Sequence, residues 1–154
     1  MDKLTKRLFK AIEHRDIASV RAAIQAGADV NAITAFDSSS QTTLLHCAAG
    51  MGDSDIIGLL IENGADINAK GPEQTTPLHW AAAANEADAV LLLIEKGADV
   101  SPVDTWEETP AQYAAKRGHN QLATILDRAS KEQQGHAGRV TDERKDKGPP
   151  QVGG

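Results

Sequence analysis

The sequence predicts an all-α solenoid built from paired antiparallel helices, with short β-turn or hairpin loops between the pairs. Three observations carry that prediction. The element Gly-Ala-Asp-Val/Ile recurs at 27–30, 64–67 and 97–100. A second element lies upstream: Thr-Leu-Leu-His-Cys-Ala-Ala from Thr43, Thr-Pro-Leu-His-Trp-Ala-Ala from Thr76 and Thr-Pro-Ala-Gln-Tyr-Ala-Ala from Thr109, each 33 residues after the last. Two independent markers on one period signal a repeat architecture. Composition agrees, because aromatics are only 3% and the core must be built from Ala, Leu, Ile and Val, which suits packed helices better than a sheet sandwich.

The 154 residues suffice for one domain with a real core. Its first unit covers about residues 3–33, with Asp16 placed to cap the second helix. Four extra residues separate the first two Gly-Ala-Asp elements; they fall in Ile-Thr-Ala-Phe-Asp-Ser-Ser-Ser-Gln, 33–41, which reads as a longer loop. The second unit, 43–70, opens on Thr43, caps its second helix with Asp53 and lines up Ile57, Leu60 and Ile61 on one face. In the third, 76–103, Thr76 offers a capping hydroxyl and Pro77 takes the first helical position. Leu78, Ala81 and Ala82 then share one face, as do Val90, Leu93 and Ile94 in the following helix. Gly64 and Gly97 end the outer helices, where a left-handed cap needs a residue without Cβ. The fourth unit, 109–129, opens on Thr109. From Ser130 the period stops, and 130–154 is polar, mixed in charge and rich in Gly and Pro, so it is expected to be a disordered tail. That tail holds five Lys/Arg against four Asp/Glu, net +1, which leaves −7 of the total −6 on residues 1–129.

Over about residues 3–129 the chain resembles the ankyrin-repeat family, whose unit is a β-turn and two antiparallel helices with a Thr-Pro-Leu-His-x-Ala signature. The two central repeats match closely. The first lacks the signature, and the last has Ala111 and Gln112 in place of Leu and His, as end caps with one unpartnered face should. The resemblance implies a glycine between the two helices of each repeat. Gly52 and Gly118 supply it, and Asn85 stands there in repeat three, one of the few other residues that enter the left-handed region at modest cost. It also implies a structural role for His46 and His79, whose rings would bond the loop and the signature threonine.

Neither metal binding nor nucleophilic catalysis fits these residues better. His46 and His79 sit on equivalent helices, which stack ~8–10 Å apart, too far for two ligands on one zinc. Cys47 and His46 are adjacent on a helix and point about 100° apart, so they do not pair as nucleophile and base. No phosphate-binding, serine-hydrolase, zinc-protease or complete dinucleotide motif occurs. No catalytic residue, cofactor or metal is therefore expected; a small hydrolase using His14 or His119 is the enzymatic alternative.

Aromatic residues give the binding candidates. Cys47, Trp80 and Tyr113 occupy one position in successive repeats, and the resemblance puts that ladder near the concave surface. Phe36 and Trp106 fall in loops between repeats, where a large apolar side chain gains little from folding and exposed aromatics anchor interfaces. Asp104 and Glu107 would keep the Trp106 loop wet and rim it with polarity.

The expected function is non-enzymatic: a protein–protein interaction module, adaptor or inhibitor, binding through its concave face and loop tips. A microbial host-interaction or toxin-neutralising protein is the alternative, and a structural or chaperone-like subunit a third class. The acidic body points to a protein partner with a basic patch and away from nucleic acid. The N-terminus has charge at nearly every turn and no run approaches ~18 apolar residues, so neither a secretory signal nor a membrane span is expected. One cysteine suits a reducing, cytoplasmic setting, and the protein is expected to be a monomer on its own.

Overall fold

The computed structural model describes residues 1–34 and 41–146, with residues 136–146 described by their backbone alone. Four helix pairs follow one another along the chain. They are α1 (Lys3–Glu13) with α2 (Ile17–Gln25), α3 (Leu44–Met51) with α4 (Ser54–Glu62), α5 (Pro77–Ala83) with α6 (Ala87–Glu95), and α7 (Pro110–Lys116) with α8 (Asn120–Asp146). Between the first two pairs, β1 (Ile33–Thr34) and β2 (Thr42–Thr43) form an antiparallel ladder that pairs Ile33 with Thr43 and Thr34 with Thr42. The inner helices α1, α3, α5 and α7 stack on one another, while α2, α4 and α6 form an outer layer.

Local chemistry sets six of the helix starts. Asp2, Asp16 and Asp53 accept the N3 backbone N–H as N-caps of α1, α2 and α4, and Thr43, Thr76 and Thr109 do the same for α3, α5 and α7. Hydrogen bonds from Thr5 to Asp2, and from Ser19 to Asp16, hold both exposed carboxyls below their usual range. Left-handed residues turn the chain from inner to outer helix: Gly52 at φ +72°, Asn85 at +59° and Gly118 at +82°. Repeat one uses Arg15 at +54°, a position that the sequence does not flag, and its guanidinium donates to the Met51 carbonyl of repeat two at 2.7 Å.

The core is one continuous seam. Leu44, Leu45, Ile56, Ile57, Leu60, Leu78, Val90, Leu93 and Leu126 are fully or almost fully buried, and Ala48, Ala49, Ala81, Ala82, Ala89 and Ala114 let the helices approach closely. Ile61 and Ile94 of the predicted outer-helix faces pack only partly against that seam. Each buried Leu or Ile contributes about 1.5–3 kcal/mol of transfer free energy.

A hydrogen-bonded ladder ties the outer loops together. Asn31 donates to the Gly64 carbonyl and accepts from Asp66 N, and Asn68 accepts from Asp99 N, at 2.8–2.9 Å. Within each loop the Gly-Ala-Asp carboxylate accepts from the backbone two residues on: Asn31, Asn68 or Ser101. Ser101 is too short to repeat the asparagine's reach. Its hydroxyl meets Ser130, and Gln133 completes the ladder, accepting from Val100 N at 3.2 Å and donating to the Ala98 carbonyl at 3.0 Å.

This corrects the expected boundary at Ser130. The helix does not stop there: α8 continues through Asp146, and Ser130 and Gln133 close the last loop. The physical reason is that loss of a repeat period does not imply loss of helix, since Ala129, Lys131, Glu132, Gln133 and Gln134 are all good helix formers. The remainder of the predicted tail, 147–154, lies outside the described residues.

A chain ending at Ala129 should therefore unfold more easily than one ending at Gly135. Three lost hydrogen bonds, two of Gln133 and one of Ser130, at about 1 kcal/mol each correspond to several degrees of melting temperature in a domain of this size. Thermal denaturation of the two truncations measures the difference, and equal midpoints would mean that Gln133 contributes nothing.

Candidate functional site

The inner helices and the loops preceding them form two walls of a groove. Each loop is a finger whose conformation follows from its sequence. In the second, Pro72-Glu73-Gln74-Thr75, Glu73 and Gln74 both have positive φ, +56° and +64°, and Thr75 N donates to the Pro72 carbonyl, the pattern of a type I′ turn. In the third, Asp104 N donates to Glu108 O and Glu107 N to Asp104 O, with Glu107 left-handed at φ +63°. Thr105 N donates to the Glu73 carbonyl at 2.9 Å and joins the two fingertips. Three non-glycine residues in the left-handed region cost energy. Their clustering on neighbouring fingertips shows that the surrounding bonds dictate this shape.

Histidine supplies much of that constraint. His46 Nδ1 accepts from Thr43 N at 3.3 Å, and His79 Nδ1 from Thr76 N at 3.1 Å, completing reciprocal capping boxes in which the threonine hydroxyl accepts from the histidine N–H. On the far side of each ring, Nε2 donates to a finger of the next repeat: His46 to Thr75 O at 2.9 Å, His79 to Glu108 O at 2.8 Å. Both nitrogens of each ring are thus engaged, with the proton on Nε2, and no lone pair is left for a metal. The rings are fully buried and meet aromatics of the next repeat edge to face, His46 with Trp80 at 5.4 Å and His79 with Tyr113 at 4.9 Å between centroids. Gly71 is required beside His46, because a Cβ there would lie 2.7 Å from Nε2.

Burial pushes both imidazoles down, His79 to about 4. Tyr113 moves the other way. Burial, then its bond to the Asp104 carboxylate, raises the phenol and keeps it protonated.

The groove measures about 970 Å³ and runs from Phe9 and Glu13 of the first repeat to Lys116 and Arg117 of the last. Cys47, Trp80 and Tyr113 form its floor and are each partly exposed; Trp106 stands on its rim with 59% of its surface free. Trp80 is oriented by a bond from Nε1 to Thr75 Oγ1 at 3.0 Å and by Gly50, above which the indole lies.

The binding candidates separate into three groups. Trp80, Trp106 and Tyr113 line the groove together. Glu107 is exposed on the same fingertip. Asp104 is not part of a polar rim: it is 4% exposed, and its carboxylate accepts from Trp106 N, Glu108 N and the Tyr113 hydroxyl, so it builds the finger. The sequence could not show this, because a loop aspartate reads as solvated until its partners are known. Phe36 lies outside the described residues. Gly64 and Gly97 have φ of +95° and +98°, and Pro77 sits at the start of α5.

Sequence reasoning passed over Phe9, Met51, Glu73 and Thr75, which also line the groove. None of the four is marked by the repeat pattern: a threonine precedes Thr43 and Thr76, but Glu108 precedes Thr109. His14 and His119 lie at the ends of α1 and α7's following turn, in the first and last repeats, and form no common site.

Gln112 explains the changed signature of the last repeat. Its Oε1 accepts from Thr109 N at 2.8 Å, so it keeps the capping box. Among the described residues no finger follows α7, so the outward half of a histidine would have nothing to reach there.

A family model described as ankyrin repeats, in three copies, matches residues 8–104. A search of curated protein sequences finds no match.

The histidine bridges predict a pH dependence. The unfolded chain takes up protons near pH 6.5, whereas folded His79 resists until about 4. Stability is therefore complete above pH 6.5 and falls as the pH drops toward 4, by roughly 1 kcal/mol at pH 5.5 from His79 alone. The exposed Asp2 and Asp16 act only below their ordinary value of 3.8, where stability falls as they protonate. Urea titrations between pH 4 and 8 measure the slope. His79→Gln should retain the capping box, lose the bond to Glu108, cost about 1–2 kcal/mol and flatten that slope; an unchanged slope would remove His79 as its source.

Proposed function

Because the chain belongs to the ankyrin-repeat family, whose repeats are generally protein–protein interaction modules and typically non-enzymatic, we propose that it binds a partner protein in the concave groove, as an adaptor or an inhibitor. One observation carries the reading. Trp80, Tyr113 and Trp106 line one groove, and a rim tryptophan that is 59% exposed contributes little to folding.

Rigidity strengthens it. Finger three is held by Asp104, by the His79 bond to Glu108 O and by the Thr105 link to finger two, so the backbone that carries the indole is formed before binding. Such preformed interfaces bury about 800 Å² per partner. The free Cys47 thiol, half-buried in the groove and raised by that burial, suits a reducing, cytoplasmic setting.

Trp106→Ala should weaken partner binding at least tenfold, since a tryptophan hot spot commonly contributes ~2 kcal/mol or more against ~1.4 kcal/mol per factor of ten. Its melting temperature should stay within a degree or two of wild type, because the bond from residue 106 N to Asp104 survives. Asp104→Ala is the contrasting case and should lose both affinity and melting temperature. With a partner captured from the native source, calorimetry on these variants decides the matter; wild-type affinity in Trp106→Ala would place the binding face elsewhere.

A further inference from the structure

The charge of the body is unevenly divided. Residues 1–31 hold six Lys/Arg against four Asp/Glu, net +2, whereas residues 32–129 hold five against fourteen, net −9. The groove takes most of its length from the acidic part. Its finger wall carries Glu73 and Glu108, with exposed Glu107 beside them. The opposite wall is made by the last turns of α1, α3, α5 and α7, which contribute Glu13, Met51, Ala83 and Lys116. Helix C-termini carry partial negative charge and favour a cation nearby. Between the two walls lie the indoles and the phenol ring, whose faces attract cations as well.

The cations that reach the groove are Lys116 and Arg117, both at its fourth-repeat end. Lys116 is already paired with Glu108. Over Trp80 the lining therefore offers π-faces and carboxylates with no competing positive side chain among the described residues.

From this complementarity we propose that the occupant of the groove is an extended segment of the partner carrying an arginine or lysine, its charged head set over Trp80 between Trp106 and Glu73. The proposal rests on the reading of the groove as the partner site and adds the chemistry that is selected there. Length agrees: four inner helices at ~8–10 Å spacing span roughly 25–30 Å, which eight or nine extended residues cover at about 3.3 Å each. Arginine suits the seat better than lysine, because a planar guanidinium can stack on an indole while it donates to a carboxylate.

The test uses the full chain and a displayed library of random dodecapeptides. Enriched peptides should share an Arg or Lys among apolar neighbours. In a synthetic copy of one such peptide, replacing the arginine by citrulline, which keeps the shape and removes the charge, should weaken binding at least tenfold. Glu73→Gln should weaken it by a few-fold, and more at low than at high salt, since the pair is partly screened. Trp106→Ala should weaken it tenfold or more. Enriched peptides without a basic residue, or tolerance of citrulline, would overturn the charge assignment while Trp106 dependence kept the groove as the site. Peptides that bind Trp106→Ala and wild type equally would overturn both, and a library yielding no binder would overturn recognition of an extended segment.

Discussion

A buried histidine that bonds in two directions organises the rest of the structure. Nδ1 fixes the start of its own inner helix, and Nε2 fixes the finger of the repeat that follows. One side chain thereby turns a local cap into a contact between repeats. The burial that disfavours protonation also makes the bonds strong, because in a dry interior an unmet donor or acceptor costs about 1–3 kcal/mol. The aromatic of the next inner helix, Trp80 or Tyr113, then closes over the ring and becomes the floor of the groove. Structural support and candidate binding surface are thus two sides of one contact.

The outer loops solve the same problem with different chemistry. Asparagine, with a donor and an acceptor on one short side chain, bonds the backbone of the next loop, and its own loop aspartate holds it in place. At the end of the series Ser101 cannot do this, and glutamine from α8 reaches back instead. The histidine and asparagine links both run from one repeat to the one after it, and only the closing glutamine runs the other way.

Much of this was legible in the sequence. The period, the threonine and aspartate caps, and the left-handed Gly52, Asn85 and Gly118 each depend on residues within a few positions, where local chemistry decides. What escaped depends on partners that only the folded loops bring together, from 9 residues away for Asp104 and Tyr113 to 36 for Arg15 and Met51. Asp104 reads as a solvated loop acid until Tyr113 and the folded finger are in place, and Arg15 gives no sign that it will bond Met51 and adopt a positive φ. Gln133 failed as a prediction for the opposite reason: its surroundings are polar enough to resemble a tail, and a single long-range pair of bonds makes it part of the last loop. At the groove, the aromatic ladder was visible from its spacing, but Glu73 and Phe9 were not, since nothing in their own neighbourhoods distinguishes them.

The closing role of Gln112 bears on how a protein of this kind can change its length over evolutionary time. An interior unit carries one outgoing histidine and one finger ready to receive one, so a duplicated stretch of 33 residues brings both halves of the connection whatever phase it is cut in. The C-terminal unit carries only the receiving half, and its long α8 occupies the place where another loop would begin. Lengthening is therefore simple in the middle of the chain and difficult at that end. Each added unit would extend the groove by one inner helix.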